Sequence, residues 1–258
     1  GNEHTREPRM ISHNNEYTTR VDAPATIWQY IGGLHEDELI TELIQNDLDA
    51  EASVTTIEFH EDRLICKGNG QSIDSDGWER LTLFLGAGNE AESKQDGIGV
   101  KNHGLKTCFR LGDVIFIRSD GRVFKQTLYK YGYENKPYPG TSRIPLKDPS
   151  VLGEGTSIEV PYRRKTLIVR EGEHLELAPH DMESVDRLYE HAKITIAESV
   201  IGALRPGIRS KYTVRLWHYE KGWADYRFHC NPLQEISRFK KFRRFCNIHD
   251  GEGKHTET

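Results

Sequence analysis

Hydrophobic residues recur along the chain with two different spacings, which together predict a mixture of helices and strands. Over residues 36–52 the apolar residues lie three and four positions apart, as on the buried face of a helix. Residues 53–59 and 63–67 instead form two short β-rich runs around the polar turn His60-Glu61-Asp62, which predicts a hairpin. A longer helical pattern covers residues 181–204. We therefore expect an α/β protein of the α+β two-layer sandwich type.

Turn and loop signals predict the remaining elements. Asp76 is expected to cap a helix that ends at residue 85, and the four prolines in residues 135–149 indicate a loop. Two further hairpins are expected around Asp120-Gly121 and Lys221-Gly222. Residues 157–162 are predicted to form the strand that closes the sheet.

The first predicted helix carries a polar face with a chemically useful spacing. Glu42 precedes Asn46 by four residues, and Asp49 follows Asn46 by three, so the three side chains share one face. An amide oxygen can bind Mg²⁺, and a carboxylate one turn away can orient or deprotonate water. The same pattern also suits an ordinary amphipathic helix whose polar face is solvated. The apolar residues on the other side of the helix are Leu39, Ile40, Leu43, Ile44 and Leu48.

A glycine-rich loop, residues 97–104, lies further along the chain and leads into the segment 105–110. Glycines let backbone amides turn toward an anion, and a helix that begins after them presents free N–H groups. Lys106 would add a positive charge for phosphate groups. Such loops often form only turns, so the glycine-rich loop alone is a weak indication of phosphate binding. Two further segments strengthen it, a turn at residues 67–74 and the pair Gly155-Thr156.

The order of these four elements resembles that of the GHKL superfamily of ATPases, which includes gyrase B, Hsp-type chaperones, histidine kinases and MutL. The segment from Glu42 to Ala50 matches the family pattern Glu-x-x-x-Asn-x-x-Asp-Ala completely. Gly104-Leu105-Lys106-Thr107, followed by Phe109-Arg110-Leu111-Gly112, is most similar to the MORC branch. The resemblance covers roughly residues 25–165 and implies a Bergerat-type ATPase module.

The resemblance implies Mg²⁺ and ATP as cofactors and assigns roles to individual residues. Glu42 would be the general base, Asn46 the Mg²⁺ ligand and Lys106 a phosphate contact. Residues 86–99 would form a lid whose closure accompanies homodimerisation through the polar arm, residues 1–24. The residues expected to bind the nucleotide are Asn46, Asp49, Ala50, Gly68, Asn69, Gly70, Ile73, Ser93, Lys94, Gly97, Ile98, Gly99, Val100, Asn102, His103, Gly104, Leu105, Lys106 and Thr156.

Three positions depart from the family pattern. The second motif of the family reads Asp-x-Gly-x-Gly, and its aspartate accepts a hydrogen bond from the adenine amino group. Here Gly68 stands at the aspartate position and Ser72 at a glycine position, while Asn102 replaces a glycine of the phosphate loop. We therefore expect weak or poorly base-selective ATP binding, which Gly68→Asp would improve roughly tenfold or more.

The Gly68 departure keeps a second function open, a degenerate nucleotide sensor or interaction module without turnover. A histidine kinase is disfavoured, because its first motif usually lacks a glutamate at the place of Glu42 and no phospho-acceptor helix precedes that motif here.

Charge is distributed unevenly, which favours a division into an acidic module and a basic C-terminal part. The whole chain has a net charge of −5, yet residues 205–245 contain 11 Lys or Arg and three acidic residues. Within this stretch, residues 238–245 alternate cations with phenylalanines, a pattern that suits contact with DNA or an amphipathic helix packed on the protein. We expect a polar arm at residues 1–24, an ATPase domain at 25–165 and a partial transducer-like domain at 166–258.

The remaining composition argues for a cytoplasmic protein, or a nuclear one if the source is eukaryotic. No apolar run approaches the roughly 20 residues of a membrane span, and residues 1–10 do not resemble a secretory signal. The four cysteines are widely spaced, which fits a reducing compartment and gives no zinc motif. The histidines show no ligand spacing on a convincing helix, so we expect no zinc.

Overall fold

Helices packed against one large mixed sheet make up the described part of the protein. A computed structural model describes residues 19–21, 38–82, 105–129, 132–140, 155–169, 175–204, 210–230, 246–249 and 255–257. Within these residues, one sheet contains 11 strands, and three α-helices and a 3₁₀ helix accompany it. The predicted two-layer α+β class is confirmed.

The elements have the following bounds. The helices are α1 (Glu38–Asp49), α2 (Ser75–Thr82), α3 (Met182–Ile201) and a 3₁₀ helix (Leu105–Arg110). The strands are β1 (Thr19–Val21), β2 (Val54–Phe59), β3 (Arg63–Gly68), β4 (Val114–Ser119), β5 (Arg122–Tyr129), β6 (Gly132–Pro137), β7 (Thr156–Pro161), β8 (Leu167–Val169), β9 (Leu175–Leu177), β10 (Lys211–His218), β11 (Gly222–Cys230), β12 (Cys246–His249) and β13 (His255–Glu257).

The strand order of the large sheet is β1-β6-β5-β4-β7-β3-β2-β10-β11-β12-β13, and β8 and β9 form a separate ribbon. Neighbouring strands are antiparallel except β2 and β10, which pair in parallel with Val54 opposite Thr213 and Phe59 opposite His218. Strands that follow residue 165 therefore extend the sheet that the first hairpin begins. The predicted domain boundary at 165/166 falls between strands of one sheet, and the division into two domains stays a prediction.

The three predicted hairpins are confirmed as the antiparallel pairs β2–β3, β4–β5 and β10–β11. Asp120 and Gly121 form the β4–β5 turn with φ angles of 51° and 70°. The prediction that residues 157–162 close the sheet is wrong, because β7 lies between β3 and β4 and pairs with both. The predicted loop at 135–149 is also partly wrong, since its first residues belong to β6.

One hydrophobic cluster joins the helices to a single face of the sheet. The five apolar residues predicted for the buried side of α1 all belong to it. Full burial of such a side chain contributes about 1.5–3 kcal/mol. The rings of Phe59 and Tyr189 meet edge to face at 5.3 Å and thereby connect β2 to α3, while Trp78 and Phe124 connect α2 to β5 with centroids 4.5 Å apart.

Aspartates cap two of the helices. Asp181 accepts a hydrogen bond from the backbone N–H of Ser184 at 2.8 Å and begins α3 as the sequence predicts. The prediction that Asp76 caps α2 is wrong. Asp74 performs this role instead, because its Oδ1 accepts from the N–H of Gly77 at 2.7 Å.

Arg163 fixes the C-terminal end of the 3₁₀ helix. Its buried guanidinium donates to the carbonyl oxygens of Phe109 and Arg110 and pairs with Asp113 at 2.7 Å. A helix ends with unpaired carbonyl groups, and a cation there also complements the helix dipole. His180 binds the Arg110 carbonyl oxygen as well, at 2.7 Å. These contacts hold the helix whose first residue, Leu105, reaches the cavity described next.

Candidate functional site

A cavity of about 230 Å³ lies beside the C-terminal half of α1. Pockets for drug-sized ligands measure about 300–1,000 Å³, so this volume suits one ring system of a larger ligand. The cavity is lined by α1, β3, the segment that follows β3, α2, the first residue of the 3₁₀ helix and β7. The residues that line it are Leu43, Asn46, Asp47, Asp49, Ala50, Cys66, Gly70, Gln71, Ser72, Ile73, Asp74, Gly77, Leu81, Leu105, Thr156 and Ile158.

The fold brings predicted site residues from four separate segments to this cavity. They are Asn46, Asp49 and Ala50 on α1, Gly70 and Ile73 after β3, Leu105 on the 3₁₀ helix and Thr156 on β7. By contrast, Glu42, Gly68, Asn69 and Lys106 are described but do not line it.

Asn46 presents an incompletely bonded amide at the cavity. Its Nδ2 is buried and has no hydrogen-bond partner among the described residues. Leaving a buried donor unsatisfied costs about 1–3 kcal/mol. An amide in this state fits a position where a ligand supplies the missing partners, and its oxygen is of the type that Mg²⁺ accepts.

The segment after β3 is docked tightly on the end of α1. The N–H of Gln71 donates to the carbonyl oxygen of Ala50 at 2.7 Å. A Cβ on Gly70 would lie 2.9 Å from the backbone nitrogen of Ala52, so only glycine allows this approach. Asn69 shapes the same turn, because its Oδ1 accepts from the N–H groups of Ser53 and Val54 at 2.9 and 3.0 Å.

Gly68 lies directly against the carboxyl group of Asp47. A Cβ built on Gly68 would lie 2.5 Å from Asp47 Oδ1 and closer still to the carboxyl carbon. A side chain at position 68 therefore requires the Asp47 carboxyl group to move, and the expected gain in ATP binding by Gly68→Asp stays a prediction. Sequence reasoning missed Asp47. A charged residue four positions after Leu43 and three after Ile44 on the apolar face of α1 is the signal that identifies it.

Asp47 belongs to a buried chain of hydrogen bonds that reaches β10. The hydroxyl group of Thr55 donates to Asp47 Oδ2 at 2.6 Å, and the Thr55 and Tyr212 hydroxyl groups are also hydrogen-bonded. Burial raises the pKa of Asp47 to about 7, although the Thr55 hydrogen bond acts in the opposite direction. A neutral and an ionised carboxyl group are therefore both accessible near neutral pH.

Ser119 is hydrogen-bonded to two of the segments that line the cavity. Its hydroxyl oxygen accepts from the N–H of Ile73 at 2.8 Å, and the hydroxyl group donates to the carbonyl oxygen of Gly155 at 3.1 Å. It also lies 3.1 Å from the hydroxyl oxygen of Thr156. Ser119 thereby positions two lining residues without reaching the cavity itself. No local pattern in the sequence marks it, because its partners lie far away along the chain.

Glu42 lies one turn before Asn46 and is half-buried. Burial raises the pKa of its carboxyl group, and the negative charges of Glu38 and Asp49 raise it further. A carboxylate whose pKa moves toward neutrality is a better proton acceptor than an ordinary surface glutamate.

Lys106 is fully buried within the protein rather than directed into the cavity. Its Nζ donates to Gln126 Oε1 at 3.0 Å, and Gln126 Nε2 in turn donates to the carbonyl oxygen of Leu81 at 3.3 Å. Burial lowers the pKa of Lys106 to about 7, which the neighbouring Cys108 opposes. Its predicted contact with phosphate stays a prediction.

No protein-family model matches the chain, and no curated protein is significantly similar to it.

Several predicted features lie outside the described residues. They are Ser93, Lys94, Gly97, Ile98, Gly99, Val100, Asn102, His103 and Gly104 of the predicted nucleotide site, the lid at 86–99, all of the arm at 1–24 except β1, and the basic segment at 238–245. Among the residues that are described, no three His, Cys, Asp or Glu side chains form a group that could hold a metal ion. In the same part of the chain, none of the helices has both the length and the apolar character to cross a membrane.

Proposed function

We propose that this chain binds Mg²⁺ and ATP in the described cavity and hydrolyses the ATP as a MORC-like ATPase of the GHKL type. The observation that carries the proposal is the meeting of four distant segments, because the resemblance assigned residues in each of them to nucleotide binding. Apolar walls on the side of β7 and α2 suit a base, while the polar residues of α1 suit the charged part of a nucleotide.

In this proposal α1 supplies the chemistry. Asn46 offers its amide oxygen to the metal, and Glu42 orients and deprotonates the attacking water. When bound, Mg²⁺ neutralises charge that develops on the phosphate oxygens. Asp49 and Ala50 line the cavity beside Asn46.

A second candidate, a nucleotide sensor or interaction module without turnover, is favoured by one observation. The amine of Lys106 is hydrogen-bonded to Gln126 inside the protein and would have to leave this partner to contact a phosphate. Measured phosphate release separates the two candidates, since the sensor binds ATP and releases none.

Lid closure over residues 86–99, homodimerisation through the arm and DNA contact through residues 205–245 are parts of the same proposal. In the described part of the basic stretch, Arg215 pairs with Asp225 and Lys221 pairs with Glu190. These two cations are already neutralised by the protein, so DNA contact relies on the other cations of the stretch.

Calorimetric titration of ATP with and without Mg²⁺ tests the proposed function. We expect Mg²⁺ to strengthen ATP binding by the natural protein, and Asn46→Ala to lose that gain because its metal ligand is missing. Gln45→Ala, on the same helix but outside the cavity lining, is the matched control and should behave like the natural protein. An unmodified protein that binds no ATP would refute the proposal.

A further inference from the structure

Asp47 is the feature of the cavity that the sequence motifs leave unexplained. A carboxyl group on the buried face of a helix is costly unless it is hydrogen-bonded. Thr55 donates to Oδ2, whereas an ionised carboxyl group can accept about four hydrogen bonds, and Asp47 lines the cavity. The Asp47 carboxyl group therefore has acceptor capacity for a ligand in the cavity.

The surroundings of this acceptor suit a flat heteroaromatic ring. The apolar residues on the cavity wall are Leu43, Cys66, Ile73, Leu81, Leu105 and Ile158. Apolar walls with few, well-placed polar groups are typical of small-ligand sites, in which the polar groups determine orientation and specificity. A carboxyl oxygen in such a place selects a ring that carries an N–H donor on its edge.

We propose that Asp47 selects the base of the bound nucleotide by accepting a hydrogen bond from an exocyclic amino group, and that the selected base is adenine. This inference rests on the proposed nucleotide binding. Guanine presents two adjacent N–H donors, which call for both oxygens of one carboxylate. Thr55 already takes one acceptor site of Oδ2, so the single amino group of adenine is matched more easily than the paired donors of guanine.

The absence of a side chain at Gly68 allows the Asp47 carboxyl group to lie where it does. The missing side chain leaves the space that the Asp47 carboxyl group fills, so the two positions cannot both carry a carboxyl group without a shift. The cavity therefore has a base-reading carboxyl group, supplied by α1 rather than by the end of β3. Contrary to the expectation from sequence, the natural protein discriminates between bases.

The decisive comparison needs no mutation. ATP, GTP and the triphosphate of purine riboside, which lacks the amino group, are titrated against the natural protein in the presence of Mg²⁺. We expect ATP to bind about fivefold or more tightly than either competitor, as the loss of one hydrogen bond predicts. Equal affinity for ATP and purine riboside triphosphate overturns this inference and leaves the proposed function standing. No binding of any nucleotide refutes the proposed function itself.

Variants then test whether Asp47 is the responsible group. Asp47→Ala should lose the preference for ATP over purine riboside triphosphate, while the control Asp76→Asn, an exposed carboxylate on α2 outside the cavity lining, should keep it. Gly68→Asp alone should weaken ATP binding, because its side chain collides with Asp47. The exchange variant Asp47→Ala/Gly68→Asp removes this collision and should regain part of the preference. Thermal melting checks that each variant folds, and an unchanged preference in folded Asp47→Ala overturns the inference.

Discussion

The amine of Lys106 and the side-chain oxygen of Gln126 are hydrogen-bonded at 3.0 Å, with both side chains fully buried. Gln126 continues the contact to the backbone of Leu81, so this pair connects the 3₁₀ helix, β5 and α2. The arrangement connects three elements of the fold inside the protein. It also buries a basic group, and this has a measurable effect on stability.

Lys106 should make the protein more stable as pH rises above 7. Its pKa is about 7 in the folded protein and 10.5 in its ordinary state, so between these values only the unfolded chain binds the proton. Replacing it in Lys106→Met should flatten this rise in the free energy of unfolding. Urea unfolding at about pH 7 and about pH 9.5 provides the measurement, with Lys211→Met as an exposed control. A Lys106→Met effect that is the same at both pH values would contradict the lowered pKa.

Asp47 should have the opposite effect over a lower pH range. Its pKa is about 7 when folded and 3.8 ordinarily, so in this range the folded protein binds the extra proton and loses stability as pH rises. Asp47→Asn does not lose stability in this way. Its free energy of unfolding relative to that of the natural protein should therefore grow from about pH 4 to about pH 7, by up to a few kcal/mol. Melting curves across this range, with Asp76→Asn for comparison, measure the effect. Parallel curves for Asp47→Asn and the natural protein would show that Asp47 does not titrate in this range.

Removal of the Glu42 carboxylate should separate binding from turnover. In Glu42→Ala we expect ATP affinity close to that of the natural protein and hydrolysis slower by roughly 10²–10⁴-fold, the usual effect of losing a positioned base. Calorimetry and steady-state phosphate release supply the two readings. Unchanged turnover in the purified variant would exclude Glu42 as the base.

The pH dependence of hydrolysis should show the effect of neighbouring charges on the pKa of Glu42. A base must be deprotonated to act, so turnover should fall at acidic pH, and the fall should begin above the range of an ordinary carboxyl group. Glu38→Gln removes one of the charges that raise the Glu42 pKa and should move the acidic limb to lower pH. Rate profiles of both proteins would reveal the shift, and coincident acidic limbs would indicate that a different group controls the profile.

Local patterns in the sequence predicted the local parts of the fold. The apolar spacing in α1 and the Asp120-Gly121 turn depend on residues within one helix turn or one hairpin, so both could be read directly. The central position of β7 could not be predicted from the sequence, because it depends on pairing with β3 and β4. The spacing of apolar residues carries no information about strand order.

The same distinction applies to the cavity. Asn46 and Asp49, both of which line the cavity, are predicted because their spacing on one helix is informative. The contact of Asp47 with Gly68 joins α1 to the end of β3, and the links of Ser119 to Ile73 and Gly155 join three segments. Such contacts exist only in the folded chain. A motif comparison therefore shows only that Gly68 replaces the family's aspartate. It does not show that the Asp47 carboxyl group fills the space of the missing side chain.

The parallel pairing of β2 with β10 has a consequence for the order of events during synthesis. Val54 pairs with Thr213, and the hydrogen bond between the Thr55 and Tyr212 hydroxyl groups depends on this pairing. Contacts between residues so distant in sequence form late and slowly, because a long loop must close first. Until the ribosome has released β10, the edge of β2 remains unpaired and open to association with other chains. The hydrogen-bond chain that holds the Asp47 carboxyl group is thus complete only after β10 has been made.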